Sequence, residues 1–191
     1  MRYSTSHKDQ TRQRIVDVAS RLFKERGIDA TGVALVMKAA ELTNGAFYAH
    51  FDSKEALVEA IIADQIQCQI DSFQQAPKDI AGAKAIVATY LTPEHRDNCG
   101  AGCPSAALLD EIVRRPDSTK KAYSDGMLRL VDSFQEHFSD RSHEQARSLA
   151  YALLSLLIGT LQLARAMTDE KLSNMVLESG RKAALTLIDA S

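Results

Sequence analysis

The sequence predicts an all-α protein of about nine helices, and three observations carry that expectation. Its 191 residues hold only nine Gly and four Pro. The strong helix formers Ala, Leu, Glu, Lys, Arg and Gln abound. No stretch alternates Val, Ile or Thr at period two, as a half-buried strand would.

The elements follow from punctuation and periodicity. A first helix is expected over residues 8–26, where Ile15, Val18, Ala19, Leu22 and Phe23 recur on one face and Gly27 caps the end. Thr31 opens a short helix over 33–40, and Thr43 caps another over 44–50. Ser53 caps a long helix running to 74, with Glu55 and Glu59 near its positive end, and Pro77 lies just beyond. A helix over 79–91 is followed by a Pro-, Asp-, Asn- and Gly-containing loop over 92–102. Pro104 suits the first position of a helix over 104–115. Pro116 breaks the chain, and helices over 117–138, 142–167 and 170–190 complete the count. Two domains are expected, residues 1–52 and residues 53–191.

Charge divides along the same line. Overall it is −2. Residues 1–54 carry nine Lys/Arg against six Asp/Glu, and residues 55–191 carry fourteen against nineteen. A basic head on an acidic body suits a nucleic-acid reader joined to something kept off the polyanion. Residues 1–14 are polar and charged, without the apolar core of a signal peptide. The longest apolar stretch, residues 149–164, is interrupted by Ser155, Thr160 and Gln162 and reads as too short and polar to span a bilayer. A cytoplasmic location is expected, and with it free thiols at Cys68, Cys99 and Cys103.

The densest signal is residues 33–51. Two short helices separated by Glu41, Leu42 and Thr43 make a helix-turn-helix, whose second helix enters a major groove. Val36, Ala39, Ala40, Leu42, Phe47 and Phe51 read as the inward side. The outer side has the chemistry of a DNA reader. Thr43 offers a cap and a phosphate donor, Asn44 pairs bidentately with adenine, Gly45 allows close backbone approach, and Ala46 meets a thymine methyl. Tyr48, His50 and Lys54 are donors for phosphate oxygens, and the helix beginning at Ser53 adds its N-terminus.

These residues resemble the TetR/AcrR family of bacterial repressors. The resemblance is carried by Thr11-Arg12-Gln13-Arg14-Ile15, Leu22-Phe23-Lys24-Glu25-Arg26-Gly27, Thr31, Lys38-Ala39-Ala40, the run from Leu42 to Phe51, and Ser53-Lys54-Glu55-Ala56-Leu57. It implies an all-helical homodimer with an effector pocket in its C-terminal body. It also implies DNA contacts from Thr31, Thr43, Asn44, Gly45, Tyr48, His50 and Lys54. The chain departs from the family pattern at Glu41, usually Gly, at Met37, usually Ala, and at Asn44, often Lys. Glu41 is the sharpest departure, because a non-Gly residue in left-handed backbone costs about 1 kcal/mol.

The body offers an interface and a pocket. The helix over 142–167 is apolar nearly all round, and the last helix shows an apolar stripe. Leu153, Leu156, Leu157, Gly159, Leu161, Met175, Val176, Ala183 and Leu187 are therefore expected in a two-fold, four-helix dimer interface. An apolar effector pocket is expected among Cys68, Phe73, Tyr90, Leu109, Met127, Phe134, Tyr151 and Leu154, where ordinary core is the competing reading. Cys103 precedes Pro104 at a helix N-terminus with Cys99 four residues away, which admits a redox or electrophile sensor beside a plain capping role. His95, Cys99 and Cys103 have metal-ligand types but lack a fourth partner, so no metal or cofactor is expected. A Gly-rich phosphate loop, a His-Glu-x-x-His pattern and a nucleophile elbow are all missing, so no enzyme is expected. The expected function is a ligand-responsive repressor that binds a palindromic operator as a dimer. The alternatives are the Cys103 sensor and a helical interaction protein that no longer reads DNA.

Overall fold

The computed structural model describes residues 3–190. The outermost positions of the two expected domains, residues 1–2 and 191, lie outside the described residues. Among the described residues the backbone forms ten α-helices and two short 3-10 turns, without a strand. They are α1 (Tyr3–Arg26), α2 (Val33–Ala39), α3 (Asn44–Phe47), α4 (Lys54–Gln74), α5 (Ile80–Tyr90), α6 (Pro93–Asp97), α7 (Pro104–Ile112), α8 (Asp117–Gln135), α9 (His143–Ala166) and α10 (Glu170–Asp189).

The tenth helix corrects the expected loop. Thr92 accepts a hydrogen bond from the His95 amide at 3.1 Å, and Pro93 occupies the first helical position. Asn98 then caps a 3-10 turn over Cys99–Ala101. Pro and Asn there start short helices rather than open the chain. The other differences are at helix ends. α1 begins at Tyr3 rather than 8, and α3 ends at Phe47 rather than 50. Beyond α3 the chain stays wound through i→i+3 bonds, Ala49 to Ala46 and His50 to Phe47.

One continuous apolar core runs through the molecule. Ile15, Ala19, Leu22 and Phe23 of α1 are buried against α2, α4 and α7. α4 packs along α8, α8 along α9, and α9 along α10. The α9–α10 approach depends on Gly180, where a Cβ would lie 2.4 Å from the Thr160 side chain. Leu153, Leu157 and Leu161 are fully buried in this core. They do not face a partner, which corrects the expectation for those three positions. A helix that is apolar all round spends one side on its own chain. The opposite side of the pair is different. Gly159, Met175, Ala183 and Leu187 are exposed, and Leu156 and Val176 are half-buried. All of these except Leu187 border, with Leu163 and Leu172, an apolar groove of about 560 Å³. By length and composition α9 is long and apolar enough to cross a membrane, contrary to the sequence reading, but half of that span is buried within the protein.

Candidate nucleic-acid interface and ligand cleft

The turn after α2 settles the question raised by Glu41. This residue has φ +56°, the only positive value at a non-Gly among the described residues. Leu42 N–H donates to Met37 O at 2.9 Å, and Glu41 N–H donates to Lys38 O at 3.1 Å. That 6→1 and 5→2 pair is the Schellman closure, with Glu41 in the left-handed position that Gly ordinarily fills. The turn is preserved rather than rearranged. The Glu41 carboxylate pairs with Arg14 of α1 at 2.5 Å, both groups being solvent-exposed.

Phe47 and Phe51 hold the reading face. Phe47 is fully buried and stacks on Phe51 with ring centroids 5.7 Å apart. Tyr48 meets Phe47 edge-on at 5.3 Å yet remains 71% exposed, so its ring is oriented while its hydroxyl reaches solvent. Thr43, Asn44 and Gly45 are exposed, and the side chains of Thr43, Asn44 and Tyr48 make no hydrogen bond among the described residues. Thr43 is the N-cap of α3 by position, but its hydroxyl makes no capping bond. Ala46 is half-buried, whereas Ala39, expected inside, faces out.

Other expected contacts are engaged within the protein. Thr31 is completely buried, and its hydroxyl has no hydrogen-bond partner among the described residues. In this conformation its side chain is not presented to a duplex. Lys54 donates to the Ile28 carbonyl at 2.5 Å and lies over the Phe23 ring, so it fastens α4 to the end of α1. His50 is half-buried with an unpartnered Nδ1. Burial, then Lys8 and Arg12, hold its pKa below the ordinary imidazole value.

A cleft of about 550 Å³ opens between α4, α5 and the segment leading into α7. Cys68, Phe73 and Tyr90 line it, as expected from sequence. Leu109, Met127, Phe134, Tyr151 and Leu154 do not. Phe134 and Leu154 are filled core, Leu109 and Met127 are half-buried elsewhere, and Tyr151 is exposed beneath Arg147. Periodicity marks the side chains that point inward, not whether the space they point into is occupied. Gln65, Gln69, Ser72, Ile86, Thr89, His95, Cys103 and Pro104 complete much of the wall. Among the described residues no Asp, Glu, Lys or Arg contributes to it.

Two struts connect this cleft to α1, and sequence reasoning missed both. Lys24, only 6% exposed, donates to the Gly102 carbonyl at 3.0 Å and to Gln65 Oε1 at 2.7 Å. Burial lowers its pKa, while the neighbouring thiols Cys103, Cys99 and Cys68 act in the opposite sense. Cys99 donates its S–H to the Lys24 carbonyl at 3.0 Å, using one of the free acceptors at the end of α1. At the far end of α7, the Glu111 carboxylate accepts the Ile28 amide at 2.9 and 3.0 Å and the Asp29 amide at 3.0 Å. Gly27, with φ +91°, lies against it, and a Cβ there would come within 2.9 Å of Glu111 Oε1. Arg115 pairs with Asp29, with Glu111 at 3.6 Å and with Glu55 at 3.7 Å. The Arg115 hydrogen bond, foremost, holds the Asp29 carboxyl below its ordinary pKa.

His95 braces the cleft wall. Its Nδ1 meets the Tyr90 carbonyl at 2.7 Å and therefore carries the proton, leaving Nε2 to accept the Cys103 amide at 3.0 Å. Both ring nitrogens are thus occupied, which removes His95 from any metal site with Cys99 and Cys103. Burial, foremost, lowers its pKa and keeps it neutral. The two sulfurs have different partners: Cys103 Sγ faces Gln69 Oε1 at 3.6 Å, and Cys99 turns to α1. All three cysteines are free thiols.

Comparison with known proteins places this geometry. Residues 15–61 match the profile of bacterial regulatory proteins of the tetR family. The HTH-type transcriptional repressor KstR2 of Rhodococcus jostii is 45% identical over 108 residues, 56% of this chain and 53% of that protein. The chain thus spans about half the length of this relative. A TetR-family transcriptional regulator from Cytophaga hutchinsonii superposes with a TM-score of 0.76, at 20% identity over 96% of both chains. FadR of Bacillus subtilis, solved in complex with stearoyl-CoA, has a TM-score of 0.67 at 13% identity, covering 94% of this chain and 98% of that one. Residues 15–61 thus carry the helix-turn-helix of the tetR family of bacterial regulatory proteins, and the ten-helix architecture around it has the fold of TetR-family regulators.

Proposed function

We propose that the protein is a ligand-responsive transcriptional repressor, acting in the cytoplasm, in which residues 1–52 read DNA and residues 53–191 bind effector and dimerise. One observation carries this reading: Thr43, Asn44, Gly45 and Tyr48 stand exposed on a rigid Phe47/Phe51 scaffold within the family-matched segment. Asn44 and Ala46 address base edges, and Thr43, Tyr48 and His50 address the backbone. Lys54 contributes by holding the reading unit rather than through a free ammonium. Thr31 is a packing residue of the same unit.

A single short reading helix gives little affinity, and two copies double the contacts. The apolar groove between α9 and α10 supplies the second copy's seat through Leu156, Gly159, Met175, Val176 and Ala183, with Leu187 exposed on the same helix, so the operator is palindromic. The cleft between α4 and α5 is the effector site. Its lining is uncharged, which favours a small, largely apolar compound. Lys24 and Glu111 tie its wall and the adjoining α7 to α1 and the 27–29 loop. An effector that binds better when those ties shift releases DNA by moving the reading head. FadR, of the same fold, was solved holding stearoyl-CoA.

The experiment is selection from a random duplex pool at low salt, followed by gel shift of the enriched sequence. A palindromic consensus bound by the wild type, and bound more weakly by Asn44→Ala and Tyr48→Ala, supports the reading. Folded, dimeric protein that enriches no duplex defeats it and leaves a helical interaction protein.

A further inference from the structure

We propose that Cys103 and Tyr90 form a capture site for small conjugated carbonyl compounds, in which the Cys103 sulfur adds to the β-carbon of an enone or quinone whose oxygen accepts from the Tyr90 hydroxyl. The inference rests on reading this cleft as the effector site and names the chemical class it takes.

Tyr90 is 6% exposed, lies on the cleft wall, and its hydroxyl has no well-formed hydrogen bond. Its one polar neighbour is the Cys103 thiol, a weak acceptor, so the phenol still lacks the oxygen acceptor that a bound molecule can supply. The same phenol lies beside the Cys103 thiol, and burial holds it well above its ordinary pKa, so it stays a donor. Cys103 lines the same cleft, and its sulfur has a long contact to Gln69, at 3.6 Å, besides the phenol. One imidazole positions both groups: the Tyr90 ring meets His95 edge-on at 4.6 Å, and His95 Nε2 accepts the Cys103 amide. Phe73 and Ile86 give the apolar wall, and no charged side chain lines the space to demand a charged ligand. Behind the wall the Lys24 ammonium lies within electrostatic range of all three thiols. Cys68, although exposed, is held back as a nucleophile, because desolvation and the neighbouring Asp64 and Asp71 raise its pKa.

The step balances without an oxidant. The sulfur forms a bond to the β-carbon, the C=C π pair moves onto the α-carbon and oxygen, and Tyr90 hydrogen-bonds the developing enolate. The thiol proton, carried by water, ends on the α-carbon. With an enone the product is a saturated thioether; with a quinone the adduct tautomerises, its ring protons moving to the two oxygens, to a hydroquinone thioether. Donors aimed at an oxygen where charge develops are an effective source of rate in a water-poor site.

The test uses the full chain with equimolar methyl vinyl ketone, followed by peptide mass mapping over time. Cys103 should be modified before Cys68 and Cys99. Tyr90→Phe should slow that modification roughly tenfold or more. With methyl methanethiosulfonate, a thiol reagent without a carbonyl, Tyr90→Phe should leave Cys103 reactivity within about twofold. Cys68 reacting first, or an equal slowing by both reagents, overturns the proposal. The selected duplex separates this from the function above. Adduct formation that leaves duplex binding intact defeats Cys103 as the effector switch, while the DNA-reading proposal stands. Adduct formation that releases the duplex in wild type but not in Cys103→Ser supports it.

Discussion

The helix-turn-helix and the cleft dispose their polar groups in opposite ways. On the reading face Thr43, Asn44 and Tyr48 are exposed and unpaired, with rigidity supplied from beneath by Phe47 and Phe51. Around the cleft Lys24, His95 and Glu111 are partly or wholly buried, and each ties two segments together. A surface that meets a large polar partner keeps its donors free and its backbone fixed. A site that passes a signal needs polar groups already committed to neighbours, so that occupying it shifts those neighbours. The two regions should therefore respond differently to substitution. Changes on the reading face should alter binding without altering stability, and changes to the ties around the cleft should lower stability.

The largest effect is expected outside both regions. Met175→Asp puts a charge into the apolar groove at a side chain 63% exposed in the single chain. It should weaken dimerisation about a hundredfold, seen by sedimentation, while the helical content of the monomer is unchanged. Glu111→Ala should come next. It strands the Ile28 and Asp29 amides and frees Arg115, and should lower stability by about 2 kcal/mol in urea unfolding. Loss of stability with Asn44→Ala, or none with Glu111→Ala, would break the contrast. Asn44→Ala itself should weaken binding to the selected duplex roughly tenfold, with an unchanged unfolding midpoint.

A smaller effect is expected from pH. Folded-state His95 has a lowered pKa, so its neutral form favours folding. That contribution is fully present above the ordinary value of 6.5 and declines as pH falls below it, through the lower folded-state value. Below that range a protonated Nε2 would oppose the Cys103 amide donor. Unfolding curves between pH 7.5 and 5 should show this decline, and His95→Gln should flatten it. The smallest effect belongs to Glu41→Gly. Relief of left-handed backbone, about 1 kcal/mol, is offset by the unfolded-state entropy of Gly, about 0.5–1 kcal/mol. The exposed pair with Arg14 adds at most about 1 kcal/mol, so the unfolding midpoint should barely move.

Legibility in the sequence followed the same division. The helix-turn-helix could be read because its information is local. Caps, a three-residue turn, inward aromatics and outward polar residues all fall within about twenty positions. The position of Glu41 at a left-handed turn was readable for that reason, and its Schellman bonds match. α6 was missed although its cap was in view, since Thr92 and Pro93 read as loop chemistry when no apolar stripe follows. The cleft was only partly legible. Cys68, Phe73 and Tyr90 were found, but Phe134 and Leu154 were not distinguishable from them, because each carries the same apolar signal.

The sequence by itself determined the all-helical class and the helix-turn-helix with its family resemblance, since periodicity, caps and turn chemistry act over a few residues. The tertiary structure alone decided which side of α9 joins the core and which joins the groove, and that Thr31 and Lys54 serve packing rather than contact. It also decided that Lys24 braces the cleft against α1, that His95 braces the cleft wall, and that Glu111 ties α7 to the 27–29 loop. Those partners lie 5 to 83 positions apart. A buried polar group takes whichever complementary partner packing delivers, and no local pattern of residues encodes that choice.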